Sequence, residues 1–224
     1  MPVIADADIE ITAFAWVPPF ARGLVRDLRV RWALEEAGLS YRERLLDPTT
    51  VRPEDYFLEQ PFGQVPIYNH GPVRLFESGA IVLHIAERCE ALTPSDPAGR
   101  ARTMSWVVAA LNSIEPMIAE LANIDIFNAD AEWARARRPE AEQKVRERLA
   151  RLSGWLEERD HLEDRFTAGD LMMTTVLRIL RHTQLVAEHP NLAAYQARCE
   201  ARPAFGRALE AQLAAFERQP AEAA

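Results

Sequence analysis

Residues 62–88 read FGQVPIYNHGPVRLFESGAIVLHIAER. Two β-rich runs, VPIYN (65–69) and VRLFE (73–77), flank His70-Gly71-Pro72 and predict a hairpin. From Ser78 to Cys89 the period changes, with Ile81, Val82, Ile85 and Ala86 at helical spacing. Two features of the stretch carry chemistry. A proline at a strand entrance donates no hydrogen bond and is often cis, so Val65 either borders a plain edge strand or offers its backbone to an extended peptide. Glu77-Ser78 starts a helix straight after a strand. Ser78 is then either an ordinary N-cap or part of a carboxylate site built from helix N–H groups and the positive end of the dipole.

Working back toward the N-terminus, IEITAFAW (9–16) predicts a buried strand that stops before Pro18-Pro19. From Leu24 to Ala37 the apolar residues form two groups, Leu24, Val25, Leu28 and Trp32 against Val30, Ala33, Leu34 and Ala37, so this helix is covered on two sides. One cover is its own sheet, and a second domain is the candidate for the other. Gly38 is a C′ residue, YRERLL (41–46) a strand, Asp47-Pro48 a break, and Pro53–Glu59 a short helix. The order is β-α-β-α-β-β-α. After the Pro-rich junction TPSDPAG (93–99) only helical periods remain, over 100–122 with a bend at Pro116, 139–159, 170–186, 191–201 and 204–217. Glu140–Glu158 reads as a solvated face, and an Ala-rich tail frays after Pro220. In FTAGDLMM (166–173), Thr167 and Asp170 have capping-box spacing, with Asp in place of Glu or Gln, and would start a buried helix.

The 224 residues carry a formal net charge of −8, which disfavours phosphate backbones and anionic membranes as partners. Lys144 is the single lysine among 26 basic residues, a sweep that composition bias explains as well as anion binding does. Cys89 and Cys199 stand alone in separate helical runs, which suits a reducing, cytoplasmic compartment. No leader pattern opens the chain, and no stretch nears the ~20 apolar residues of a membrane span. The five histidines have no ligand-like spacing, so no metal is expected.

Taken in order, RVRWALEEAGLSYRER (29–44), QVP (64–66), ES (77–78), FTAGD (166–170) and HPNLAAYQARCEARPAF (189–205) resemble the glutathione transferase superfamily across nearly the whole chain. The resemblance implies an α/β thioredoxin-like domain at 7–91, a linker at 92–98 and an all-helical domain at 99–220. It also implies a homodimer, with glutathione as co-substrate along the edge of the first domain. Val65 would pair its backbone with the cysteinyl part of glutathione, exposed by a cis Pro66. Glu77 would meet the γ-glutamyl ammonium and Ser78 its carboxylate, while Gln64 and Arg52 are candidates for the glycyl carboxylate.

Relatives usually place a Ser, Tyr or Cys near the start of the first helix to hold the glutathione thiolate. Between Met1 and Leu39 the only hydroxyl or thiol is Thr12, inside a strand and more suited to the sheet than to a ligand. Arg22, with backbone N–H groups around Gly23 and Leu24 at a helix N-terminus, is the candidate replacement, since both lower a thiol pKa; a surface Arg22 paired with an acid is the alternative. Trp16, Val17 and Phe20 form either an apolar wall for an electrophile or interdomain core, and Trp106 and Asn112 are further pocket candidates. The expected function is attack of the glutathione thiol on a hydrophobic electrophile, a detoxifying transfer. The alternative is a non-catalytic glutathione-binding or scaffold protein of the same fold. Glutaredoxin-like chemistry would need a reactive Cys at helix one, and Cys89, near a helix C-terminus, is poorly placed for it.

Overall fold

A computed structural model describes residues 3–218; the tail after Pro220 lies outside the described residues. Compactness divides the chain into one unit comprising residues 1–92 and 202–224, and a second comprising 93–201.

The first unit is built on four strands in the order β2-β1-β3-β4. Its elements are β1 (Ile9–Phe14), α1 (Asp27–Ala37), β2 (Tyr41–Leu46), α2 (Glu54–Glu59), β3 (Ile67–His70), β4 (Val73–Phe76) and α3 (Ser78–Ala86). β1 and β2 are parallel, from Ile9 opposite Tyr41 to Phe14 opposite Leu46, whereas β3 is antiparallel to both β1 and β4. This is the expected β-α-β-α-β-β-α order and the mixed sheet of a thioredoxin-like domain. Thr12 is fully buried and accepts the N–H of Ile67 at 2.7 Å, so it serves the sheet as expected. Gly38 caps α1 in the left-handed region, at φ 65°.

One feature of α1 departs from expectation, and another names the partner that the sequence left open. It starts at Asp27 rather than Leu24, because the chain first makes a 3-10 turn at Pro19–Ala21 and then reverses through Gly23 at φ 74°, a backbone state that favours glycine. Its outer face is covered by the last helix, α9 (Pro203–Glu217), which returns to this unit after the helical segment. Helical periodicity reveals that a face is covered but not by which partner. Trp32 meets Phe205 edge to face at 4.8 Å, Arg202 grips Glu36 with two bonds of 2.6 and 2.8 Å, and Arg207 reaches Glu35 at 2.6 Å. Beneath them Arg31, wholly buried, holds Asp27 at 2.6 Å and also pairs with Glu43. Burial pushes the neighbouring Tyr41 phenol up to about 12.

The second unit is helical: α4 (Pro97–Ala109), α5 (Glu115–Ala122), α6 (Glu132–Trp155), α7 (Ala168–Leu177) and α8 (Pro190–Glu200). α4 and α5 belong to one 31-residue helical run, Pro97–Phe127, whose most apolar window has a mean hydropathy of 1.2. By length and composition it passes for a membrane span, contrary to the sequence expectation. Its Val107, Ala110, Ile114, Ile118, Leu121 and Ile124 are buried, as in the core helix of a folded unit. Near the expected bend, the helix widens to a π-turn at Ala110–Ile114, just before Pro116. α6 starts at Glu132, earlier than 139, with Pro139 accommodated on its exposed side.

All ten residues of α7 are buried, and the expected capping box starts it. Thr167 Oγ1 accepts the N–H of Gly169 at 3.2 Å, and Asp170 Oδ2 accepts the N–H of Thr167 at 2.8 Å. Asp170 Oδ1 does more than a capping box asks: it also accepts the Leu162 N–H at 2.8 Å and the Tyr195 hydroxyl at 3.0 Å. Burial pushes the Asp170 carboxyl up, opposed first by the two backbone N–H groups.

Candidate functional site

The loop between α2 and β3 and the start of α3 come together in one cleft lined by Arg26, Gln60, Gln64, Val65, Pro66, Glu77 and Ser78. Five of these seven are residues singled out in the sequence. The Val65–Pro66 peptide bond is cis. Val65 precedes β3, and neither its N–H nor its C=O makes a hydrogen bond among the described residues. That leaves one donor and one acceptor for an extended ligand backbone.

Across the cleft, Glu77 is the only non-glycine with positive φ among the described residues, at φ 67° and ψ 113°. It is exposed, and its carboxylate has no partner there. A strained backbone that leaves a charge unpaired is the combination expected where a ligand is to be met. α3 begins with its first ladder bond from Ile81 N–H to the Glu77 carbonyl at 3.0 Å, so the N–H groups of Ser78, Gly79 and Ala80 lie outside the ladder and can take an anion. Ser78 was expected as the N-cap. It is instead the first helical residue, buried, and its Oγ accepts a hydrogen bond from Arg29 Nη1 at 3.2 Å. An unpartnered carboxylate and the open N–H groups of a helix start thus stand side by side.

Three supporting residues escaped the sequence reading. Arg26 lines the cleft from the turn before α1, Arg29 braces Ser78 from within α1, and Tyr56 on α2 donates its hydroxyl to the Gln64 carbonyl at 2.6 Å. With Thr12 holding Ile67, Tyr56 fixes the two ends of the Gln64-Val65-Pro66 loop. Tyr56→Phe is expected to cost about 1 kcal/mol of stability. It should also weaken binding of a ligand to the cleft a few-fold (roughly 3-fold), as for loss of uniform binding. An unaltered affinity in a binding titration would show that the loop holds its shape without this bond.

Other candidates lie elsewhere. Arg52 is not among the cleft residues: its Nη1 donates to the carbonyls of Asp47 and Thr50 at 2.8 and 2.9 Å, and its guanidinium lies 5.4 Å from the Phe14 ring centre. It ties down the loop after β2. The N–H of Leu24 is consumed by the Ala21 carbonyl at 3.0 Å, and because α1 starts at Asp27, Gly23 and Leu24 are not a helix N-terminus. The first turn of α1 meets its own Asp27 carboxylate, itself held by Gln212 at 2.7 Å. Arg22 is an exposed surface charge that makes no ion pair among the described residues.

Val17 is buried core, and Trp16 contributes to holding down the Asp47 carboxyl, after the larger effect of the Thr49 hydroxyl and N–H. Phe20 is 46% exposed. Trp106 is half-buried within the helical unit, donating to Glu163 at 2.9 Å and packing on Trp155, whereas Asn112 is exposed. No group of three or more His, Cys, Asp or Glu side chains suited to a metal occurs among the described residues.

Known proteins resemble this chain in sequence and in fold. The family models "Glutathione S-transferase, N-terminal domain" and "Glutathione S-transferase, C-terminal domain" match residues 21–87 and 117–203, together well over half of the chain. A glutathione S-transferase of Hyoscyamus muticus is 28% identical over 203 residues, 82% of this chain and 92% of that one. The crystal structure of a Burkholderia graminis glutathione transferase, with two glutathione molecules bound per subunit, superposes with a TM-score of 0.80 at 26% identity, covering 93% of this chain and 90% of that one. A theta class enzyme from Xanthomonas axonopodis pv. citri, with glutathione bound, gives 0.77 at 26% identity over 91% of this chain and 97% of that one. Matches to both halves in sequence order and to whole ligand-bound relatives leave one assignment: the chain belongs to the glutathione S-transferase family.

Proposed function

We propose that the protein binds glutathione in the Gln64–Ser78 cleft and transfers it to a hydrophobic electrophile. The observation that carries this reading is the pairing, in one cleft, of an unpartnered Val65 backbone with an unpartnered Glu77 carboxylate beside the open N-terminus of α3. Val65 takes the cysteinyl backbone, Glu77 the γ-glutamyl ammonium, and Ser78 with the α3 N–H groups the γ-glutamyl carboxylate. Gln64, exposed at the lip, is the group left for the glycyl end. The sulfur attacks the electrophilic carbon, a leaving group such as halide departs, and the thiol proton passes to solvent. Proximity and a lowered thiol pKa are the protein's contributions.

Arg22 is our candidate for lowering that pKa. An opposite charge at about 4 Å is worth ~1 kcal/mol in water and ~4 kcal/mol near a protein surface. For this exposed guanidinium the low end applies. Arg22→Ala is expected to raise the thiol pKa of bound glutathione by about one unit, ~1.4 kcal/mol. Below that pKa, kcat/KM should fall about tenfold. Ultraviolet absorbance of the thiolate and the turnover of a generic aryl halide read both effects. An unchanged thiol pKa removes Arg22 from the mechanism, and glutathione binding with no conjugation at all marks the binding-protein alternative.

The exposure of Val51, Phe57, Leu58, Phe62 and Phe76, with Leu58 84% and Phe62 68% exposed, supports a homodimer that covers these side chains. Cys89 and Cys199 are joined by no disulfide among the described residues, which supports a reducing compartment such as the cytoplasm.

A further inference from the structure

β3 and α3 each carry the glutathione cleft near their starts, and a second cavity opens near their ends, where β1 begins and α1 runs out. Its volume is about 450 Å³, and it shares no residue with the cleft. That size lies within the range of small-molecule sites.

One part of the lining is aliphatic, from Ile4, Ile9, Leu39 and Ile85. Another is a cluster of rings: Tyr68 sits edge-on to His84 at 5.6 Å and to His70 at 6.3 Å. Tyr68 is only 2% exposed, yet its hydroxyl has no hydrogen-bond partner among the described residues. The hydroxyl oxygen itself is not enclosed, so it is open to water or to a molecule that enters the cavity. Burial pushes the phenol pKa up, and the Arg88 charge opposes that, which places Arg88 within electrostatic reach.

The charges follow the same division. Arg88, beyond the end of α3, faces the cavity from one element, and Asp6 and Asp8 face it from the segment before β1. All three are exposed, and none has an ion-pair partner among the described residues. Unlike charges lining one cavity without meeting leave a gap that a molecule carrying both signs would bridge. The aliphatic and aromatic lining around that gap suits a flat apolar body.

We propose that this cavity is a binding site for a free aromatic α-amino acid, with its carboxylate on Arg88, its ammonium on Asp6 and Asp8, and its ring against Tyr68, His84 and the isoleucines. The site is separate from glutathione chemistry and does not depend on the function proposed above.

Isothermal titration of L-tryptophan into the protein saturated with glutathione tests the assignment, with tryptamine and indole-3-propionate as probes that each lack one charge. L-Tryptophan should bind once per chain, and each single-charge probe about tenfold more weakly. Arg88→Ala and the double substitution Asp6→Asn/Asp8→Asn, all at exposed positions, should each weaken L-tryptophan about tenfold, and Tyr68→Phe roughly threefold, with glutathione affinity unchanged throughout. Absence of saturable binding overturns the proposal. So does an Arg88→Ala protein that binds as well as the parent, a single-charge probe that equals L-tryptophan, or competition between L-tryptophan and glutathione for one site.

Discussion

Asp170→Ala is expected to lower the unfolding free energy by about 3 kcal/mol, roughly a 6–12 °C fall in Tm for a chain of this length. One carboxylate serves three structures: it closes the capping box of α7, holds the Leu162 N–H in the approach to that helix, and takes the Tyr195 hydroxyl from α8. Loss of a cap alone costs about 1 kcal/mol. The larger share comes from leaving a buried N–H and a buried hydroxyl without an acceptor, at about 1–3 kcal/mol each before relaxation. Asp170→Asn, which keeps one carbonyl oxygen, should recover roughly half of the loss. Tyr195→Phe should remove much of the difference between parent and alanine variant, because the two side chains share one interaction. Chemical denaturation monitored by circular dichroism measures all of these. A loss below about 1 kcal/mol for the alanine variant would mean that α7 does not need Asp170 to begin.

Glu77→Gly should separate two quantities that usually move together. The parent backbone at φ 67° is costly for a residue with a Cβ, by about 1–3 kcal/mol, and glycine relieves that strain at an entropic cost of about 0.5–1 kcal/mol. The net expectation is a protein about 1 kcal/mol more stable. Affinity for glutathione should fall at the same time by about tenfold or more, since a charge-assisted bond to an ammonium is worth about 1.5–3 kcal/mol. Calorimetric titration and a melting curve on the same sample suffice. If affinity holds while stability rises, the carboxylate has no part in binding; if stability falls, the backbone at Glu77 is not strained.

The sequence made the fold legible because each local signal agreed with the global one: Gly38, the hairpin turn, the α3 period and the Thr167–Asp170 spacing all lie where the chain uses them. The cleft was legible for the same reason, since Gln64, Val65, Pro66, Glu77 and Ser78 belong to two short segments whose chemistry is largely backbone chemistry. What could not be read were contributions carried by long side chains from distant positions. Arg29 reaches Ser78 across 49 residues, and Tyr56 bonds the Gln64 carbonyl, a backbone atom with no side-chain signature. The start of α1 was misplaced because Leu24 and Val25 continue the apolar period that the backbone does not follow. Gly23 was the available signal: a glycine ahead of a periodic run can mark a reversal as readily as a cap.

The return of α9 to the first unit has a consequence for how the protein is made on the ribosome. The strands and α1 emerge first, but Trp32, Asp27 and Glu35 gain Phe205, Gln212 and Arg207 only after the whole of residues 93–201 has been synthesised. At about 5–20 residues per second, that interval is on the order of 5–20 s. During it the nascent α/β segment displays one uncovered apolar stripe flanked by Glu35 and Glu36, whose partners Arg207 and Arg202 do not yet exist. Vectorial synthesis therefore builds the helical segment before the domain that precedes it can close, and α9 acts as the latch that ends this exposed period.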